Sequence, residues 1–475
     1  MKKSIIYASL AALIFSISSC KEDFLETAPT ETVSTPPTKY KLNGLYLMMV
    51  NKGTGGIGND YDFGQKGYDI FSDMLSSDMV LGATTYGWYS TLANLSATLD
   101  YTDNLNYMPW RYYYRVINGA NDVIDGLGGN TANPTGSDGY GMGQAKALRA
   151  YGYFYLMQLY TNKYEPGADA IPLYLKSGSP AAPKAKQSEI YGQIVKDLTD
   201  AINLLSGYTR PNKGVMNKYV AEGLLAYTYA AMGDNVNAAK YAKDIIDNGG
   251  FPVTTKAEAI GGFNTIATPS WMWGFDITLD NSLDLVSWWG QVDLYTYSYA
   301  WAGDPKLMDK GLYDSFRSDD VRKSQFGSYG GKNLWPMGKF YDANKVIGGQ
   351  RKITSDYIFM RVDEFHLLYA EALAKQGGRD AEAKVVLKKY LANRINDASY
   401  IDALSGQALL DEIYLQTRME FWGEGKSYLA MKRNKATVKR GSNHLFFDGP
   451  SFSYDDNRLS FKIPQQEINN NPNLK

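Results

Sequence analysis

The chain has 475 residues, 44% of them hydrophobic, with 17 Pro and 50 acidic against 49 basic residues. This composition excludes a disordered or collagen-like polymer, and a chain of this length can bury about three-quarters of its unfolded surface. A net charge of −1 with no run of Lys/Arg argues against nucleic acid as a partner, whereas an aromatic share of 14%, including 38 Tyr and 9 Trp, makes ring stacking a candidate mode of recognition.

Residues 1–19 read as an export leader. Lys2 and Lys3 form its positive start, Ile5 to Phe15 an apolar run too short to span a bilayer, and Ser18-Ser19 a small-residue end. Cys20 follows at once and is the only cysteine, so it forms no structural disulfide within the chain. Ile17-Ser18-Ser19-Cys20 resembles a bacterial lipobox, with Ile for the usual Leu and Ser for the usual Gly or Ala, and Cys20 is the expected lipidation site. The alternative is plain secretion with a free thiol. Residues 20–39 carry Lys21, Glu22, Asp23 and Glu26, then Pro29, Pro36 and Pro37 among threonines, which reads as a flexible tether before a single domain over 40–475. No later stretch approaches about 18 uninterrupted apolar residues, so no membrane span is expected in the mature chain.

Residues 50–110 are punctuated by Gly, Ser and Asp and read as a loop-rich insertion. A helix is predicted from Gln144 to Tyr160, and another from Ile190 to Leu205, where Ile190, Ile194, Leu198 and Ile202 share one face and Ser188 is the expected N-cap. From 217 to 250 a helical hairpin is predicted: Val220, Leu224, Tyr227 and Ala231 line one face, Gly233 ends the first helix and a second runs to Gly249. A shift of 144 residues lays Ala226, Tyr229, Ala230 and Gly233 over Ala370, Leu373, Ala374 and Gly377, which marks a second hairpin at 361–394. The fold class expected is therefore all-α, a tetratricopeptide-like scaffold, with a second loop-rich insertion at about 250–360.

Little in the chain points to catalysis. Gly53 to Gly58 matches GxGxxG, but Asn59-Asp60-Tyr61-Asp62 promises no helix after it; Gly425-Lys426-Ser427 lacks the upstream glycine of a P-loop. His366 and His444 are the only histidines, and His366 reads as a helix-packing residue. No pair of carboxylates is singled out for glycoside hydrolysis, and neither a catalytic residue nor a metal or cofactor site is expected, although calcium held by scattered oxygens stays open. Aromatic clusters in the insertions are the positive signal. Tyr86 and Trp88 lie among Gly and Thr, and Trp288, Trp289, Tyr295, Tyr297 and Trp301 crowd the second insertion. Sugar rings offer C–H faces to such planes and hydroxyls to neighbouring polar groups. In an extended segment one of Trp288 and Trp289 would face outward, whereas Trp110 reads as structural.

Several motifs taken in order resemble the SusD/RagB family. They are Cys20-Lys21-Glu22-Asp23-Phe24-Leu25-Glu26, Ala147-Leu148-Arg149-Ala150-Tyr151, Asp319 to Lys323, Arg361-Val362-Asp363-Glu364, and Ile463-Pro464 through Ile468 with Asn471-Pro472. Arg418, Glu420, Glu424, Gly425 and Arg433 also fit, while Gln416, Thr417, Ser427 and Ala430 depart from the family's usual residues. The resemblance implies four tetratricopeptide-like hairpins bearing a loop-rich ligand face, and places Trp88 where the family has a stacking residue. It further implies a surface-exposed outer-membrane lipoprotein that binds an oligosaccharide or polysaccharide without catalysis and passes it to a SusC-like TonB-dependent transporter. Capture of peptides, or a glycan-active enzyme, are the alternatives.

Overall fold

In the computed structural model, which describes residues 36–447 and 451–475, the long helices pack on one another in chain order. Cys20, the leader and the tether as far as residue 35 lie outside the described residues. The helices that matter below are α1 (Thr38–Met48), α2 (Gln65–Leu75), α3 (Asn104–Gly126), α4 (Gly136–Tyr160), α5 (Gln187–Leu204), α6 (Lys218–Met232) and α7 (Asn235–Asn248). They continue as α8 (Asp363–Lys375), α9 (Asp380–Leu391), α10 (Gln407–Glu420) and α11 (Lys426–Arg433). From α3 to α9 each helix lies against the next, and the all-α hairpin scaffold read from the sequence is the one observed.

Local chemistry explains the hairpins. The Asn217 side chain accepts from Val220 N at the start of α6, and Gly233, at φ +79°, ends it in the left-handed region that favours glycine. Asp234 then accepts from Asn237 N and starts α7, so the turn is two residues long. Gly377 and Gly378, at φ +73° and +69°, do the same between α8 and α9. Ala226 and Ala370 have no exposed surface. Two expectations change at α4 and α5. Helix α4 starts at Gly136, eight residues before Gln144. Its glycines admit close neighbours: a Cβ on Gly152 would stand 2.8 Å from Ile117 Cγ1 of α3. Helix α5 starts at Gln187, so Ser188 lies inside the first turn; the Glu189 carboxylate accepts from Lys186 N at 2.8 Å and does the capping.

Between α7 and α8 the chain leaves the scaffold, and α8 returns to pack directly on α7. The strands Trp271–Phe275 and Tyr357–Arg361 pair antiparallel near the two ends of this excursion. Farther out, Lys306–Met308 pairs antiparallel with Met79–Leu81, joining the second insertion to the first. Val80, Leu294, Ala300, Leu307 and Trp335 form a small core of their own there, separate from the main one. The first insertion, expected to be loop-rich, also holds the helix α2; every residue of it is buried, Lys66, Asp69 and Asp73 included.

Buried charges lock the excursion to the scaffold. Glu420 on α10 accepts from Arg394 Nε at 2.7 Å, from Arg361 Nη1 at 2.7 Å and from Arg322 Nη1 at 3.1 Å, and none of the three arginines is exposed. Glu424 accepts from Arg361 and from Lys339 Nζ at 2.8 Å. Burial alone would raise both carboxyls; Arg394 and Arg361 hold Glu420 well below the usual range, and Arg361 and Lys339 hold Glu424 at about 2. The motif residues Asp320, Arg322, Arg361, Asp363, Glu420 and Glu424 therefore belong to a structural ion network.

Candidate ligand platform

Two of the exposed aromatic residues, Tyr86 and Tyr297, lie where the two insertions meet, among part-exposed rings. Tyr86 is 50% exposed and lies edge-on to Tyr299, with ring centroids 5.3 Å apart. Trp88, half-buried, is wedged edge-on between Tyr61 at 5.2 Å and Tyr299 at 6.0 Å. On the other side of the short helix Tyr299–Ala302, Tyr297 is 40% exposed and tilts toward Trp301 at 5.4 Å. The Arg351 guanidinium sits 5.5 Å over Tyr297, and its Nε donates to both Asp284 oxygens at 2.8 Å. Gly348, at φ +58°, allows the next loop to lie against Trp301, since a Cβ there would stand 2.3 Å from the ring's Cε2. Tyr295 is half-buried and faces Tyr341 at 6.3 Å.

Polar groups fix these loops. Asp304 is fully buried and accepts from Thr85 N at 2.5 Å and Tyr86 N at 2.9 Å, so it holds the loop that carries Tyr86 and Trp88. Tyr299 donates its hydroxyl to Asp60 Oδ1 at 3.0 Å. Burial and the Asp60 carboxylate together raise that phenol to about 12. Tyr297 N donates to Gln350 O at 3.0 Å, which ties the platform to the 342–351 loop. The result is two groups of part-exposed rings, Tyr86, Trp88 and Tyr299 in one and Tyr297 and Trp301 in the other, with the Arg351 guanidinium beside the second. Such a surface stacks flat apolar faces and hydrogen-bonds their edges.

Not every predicted residue belongs to it. Trp288 and Trp289 are both core residues, each 1% exposed, which corrects the expectation that one of them faces outward. They open a short helix, Trp288–Val292, where successive side chains do not alternate between two faces; both pack on Phe340, and Lys66 Nζ lies 4.2 Å over the Trp288 ring. Tyr61, Tyr299, Asp60 and Arg351 enter instead. Tyr299 lies between Tyr297 and Trp301 with nothing in its sequence context to single it out; the other three lie far from Trp88 or Tyr297 in sequence, and no local pattern marks them.

The discounted motifs have structural work. Gly55 N, Ile57 N and Gly58 N donate to the Asp62 carboxylate at 2.6, 3.0 and 3.2 Å, so the glycine-rich turn encloses the chain's own anion. Lys426 is buried and donates to Phe359 O at 2.8 Å. His366 is buried beside Tyr390, and Trp110 donates to Glu467 Oε2 at 3.3 Å from a buried position. Among the described residues no group of three or more His, Cys, Asp or Glu side chains converges as a metal site, and no helix is long and apolar enough to cross a membrane.

Comparison with known proteins bears on the fold. A family model described as starch-binding and associating with the outer membrane matches residues 23–229, and a second, described as the SusD family, matches residues 295–475. A SusD-like protein of Formosa agariphila is 28% identical over 220 residues, which is 44% of this chain; the chain spans 40% of that relative's length. A SusD-like carbohydrate-binding protein of Bacteroides vulgatus superposes with a TM-score of 0.76 at 26% identity, over 92% of this chain and 96% of that one. Surface glycan-binding protein A of Bacteroides thetaiotaomicron, solved with laminarihexaose, shares the fold with a TM-score of 0.69 at 17% identity, over 91% and 97% of the two chains.

Proposed function

The chain belongs to the SusD/RagB family, and on that premise we propose that it captures a carbohydrate at the cell surface without transforming it. The observation that carries this reading is the set Tyr86, Trp88, Tyr299, Tyr297 and Trp301, part-exposed rings whose loops are fixed by hydrogen bonds to Asp304, Asp60 and Gln350. Binding without hydrolysis fits the carboxylates around it. Asp304 is buried under two backbone N–H groups, Asp60 holds the Tyr299 hydroxyl, and Asp284 is clasped by Arg351. Each of these three is engaged by a donor of the platform itself. The captured glycan would pass to a SusC-like TonB-dependent transporter, with the protein tethered to the outer membrane through lipid on Cys20.

Affinity electrophoresis against starch, laminarin, xylan and pectin, with a peptide library in parallel, tests the reading. Retardation by at least one polysaccharide, with no new reducing ends after prolonged incubation, is the expected result. Binding to peptides alone would replace the glycan reading, and release of sugar product would replace the non-catalytic one. Mass spectrometry of membrane-extracted protein should find an acylated Cys20; a free thiol on a wholly soluble mature protein would remove the anchor.

A further inference from the structure

Lys306 lies beneath the platform with no exposed surface and no carboxylate in contact with its ammonium. Its Nζ donates to Gln291 Oε1 at 3.0 Å and to the Asp304 backbone oxygen at 3.1 Å, and sits 4.7 Å over the Tyr89 ring. Gln291, also fully buried, turns its Nε2 to the Asp60 backbone oxygen at 2.9 Å. These contacts reach the loops that carry Tyr61, Tyr86, Trp88 and Tyr299. Asp60 leads to Tyr299 through the hydroxyl bond and to Tyr61 as its chain neighbour; Asp304 leads to Thr85 and Tyr86; Tyr89 follows Trp88 directly.

Such a placement is costly. Burial pulls the ammonium down to about 7, against an upward pull from Asp304, and a well-packed apolar side chain would fill the same space without that penalty. The strand that carries it, Lys306–Met308, is already paired with Met79–Leu81, so the sheet does not need the charge. What the amine adds is a buried bridge from Gln291 to Asp304 beneath these loops, beside the strand pairing and the Asp304 and Asp60 side-chain bonds that also join them.

We propose that Lys306, acting through Gln291 and Asp304, is the positioning residue that pre-organises the aromatic platform for its ligand. This rests on the platform's being the binding face, and deepens that reading. Rings held at fixed spacing before binding do not lose loop entropy on capture, and pre-organisation of this kind appears as affinity.

The test sets fold stability against loop order. In Lys306→Met, amide exchange in peptides covering 83–90 and 298–305 should run several-fold faster, while the thermal midpoint is unchanged or higher because a buried charge is gone. Retention by the polysaccharide that the wild type binds should fall in step. Gln291→Met, which breaks the bridge one bond further on, should loosen 59–61 as well, and serves if Lys306→Met fails to fold. Unchanged exchange in these peptides, or a lowered midpoint with exchange faster everywhere alike, would overturn the proposal by making Lys306 an ordinary core residue. Exchange decides this question without any ligand. If no polysaccharide is bound but the loops loosen, the positioning role stands and the glycan reading falls.

Discussion

At the scale of single residues, tryptophans of equal sequence promise have opposite fates. Trp88 keeps part of its ring exposed between Tyr61 and Tyr299, whereas Trp288 and Trp289 are sealed against Phe340. Trp88→Ala should therefore weaken glycan retention by about 1–3 kcal/mol, the usual cost of truncating a central stacking residue, while leaving the circular dichroism spectrum intact. Trp288→Ala should instead cost about 3–5 kcal/mol of stability in urea unfolding, as removal of a buried indole does. A Trp288→Ala variant that unfolds like the wild type, or a Trp88→Ala variant that binds like it, would reverse the assignment. Sequence context could locate Trp88 in an irregular stretch, but it could not separate it from the core pair. A one-turn helix at Trp288 turns both rings inward, and nothing in Ser-Trp-Trp-Gly distinguishes that helix from an extended loop.

At the scale of elements, legibility follows burial pattern. Helices α6 to α9 were readable because alanines and apolar residues recur at helical spacing and each first helix of a pair stops at a glycine that takes positive φ. Helix α2 was not, because its charged residues are inside. Lys66 pairs with Asp69 at 2.8 Å, and Asp73 accepts from Gly423 N at 2.6 Å, so polar letters occupy buried positions and the periodicity is masked. Two substitutions test the hairpins. Ala226→Leu adds volume where no surface is exposed, and should lower stability by about 1–3 kcal/mol through overpacking. Gly377→Ala meets no neighbour within 4 Å and should cost only the left-handed backbone term, about 1–2 kcal/mol. Equal midpoints for Ala226→Leu and wild type would mean that this alanine does not sit at a close helix contact.

At the scale of the whole molecule, what no periodic signal could convey is how the excursion docks. Arg322, Lys339 and Arg361 come from residues 249–362, while Glu420 and Glu424 come from the end of α10 and the turn after it, so the network joins regions some 60 to 100 residues apart. The motif residues were visible in the sequence; that they clamp an insertion to a scaffold was not. The charge state of Glu424 in this clamp, and of Glu371 on α8 where it pairs with Lys375 and with Arg433 of α11, sets an acid limit. Burial raises Glu371 and Glu424, but Arg433 with Lys375 outweighs it at the first, and Arg361 with Lys339 at the second, holding each at about 2 against 4.5 in the unfolded chain. Between those values the unfolded state binds a proton that the native state does not, so the stability these groups contribute is complete above about pH 4.5 and is lost as pH falls through about 2. Glu424→Gln removes one carboxylate from this scheme and leaves Arg361 and Lys339 partly uncompensated, which should cost about 3–5 kcal/mol at pH 7. The deficit should then narrow as pH falls, because the wild type gives up the same charge in the acid limb that the variant never had. Thermal midpoints of both proteins measured from pH 7 down to pH 2.5 read this directly. A gap that stays constant over the whole range would mean that Glu424 is not held ionised by its partners, and that the clamp owes its strength to packing.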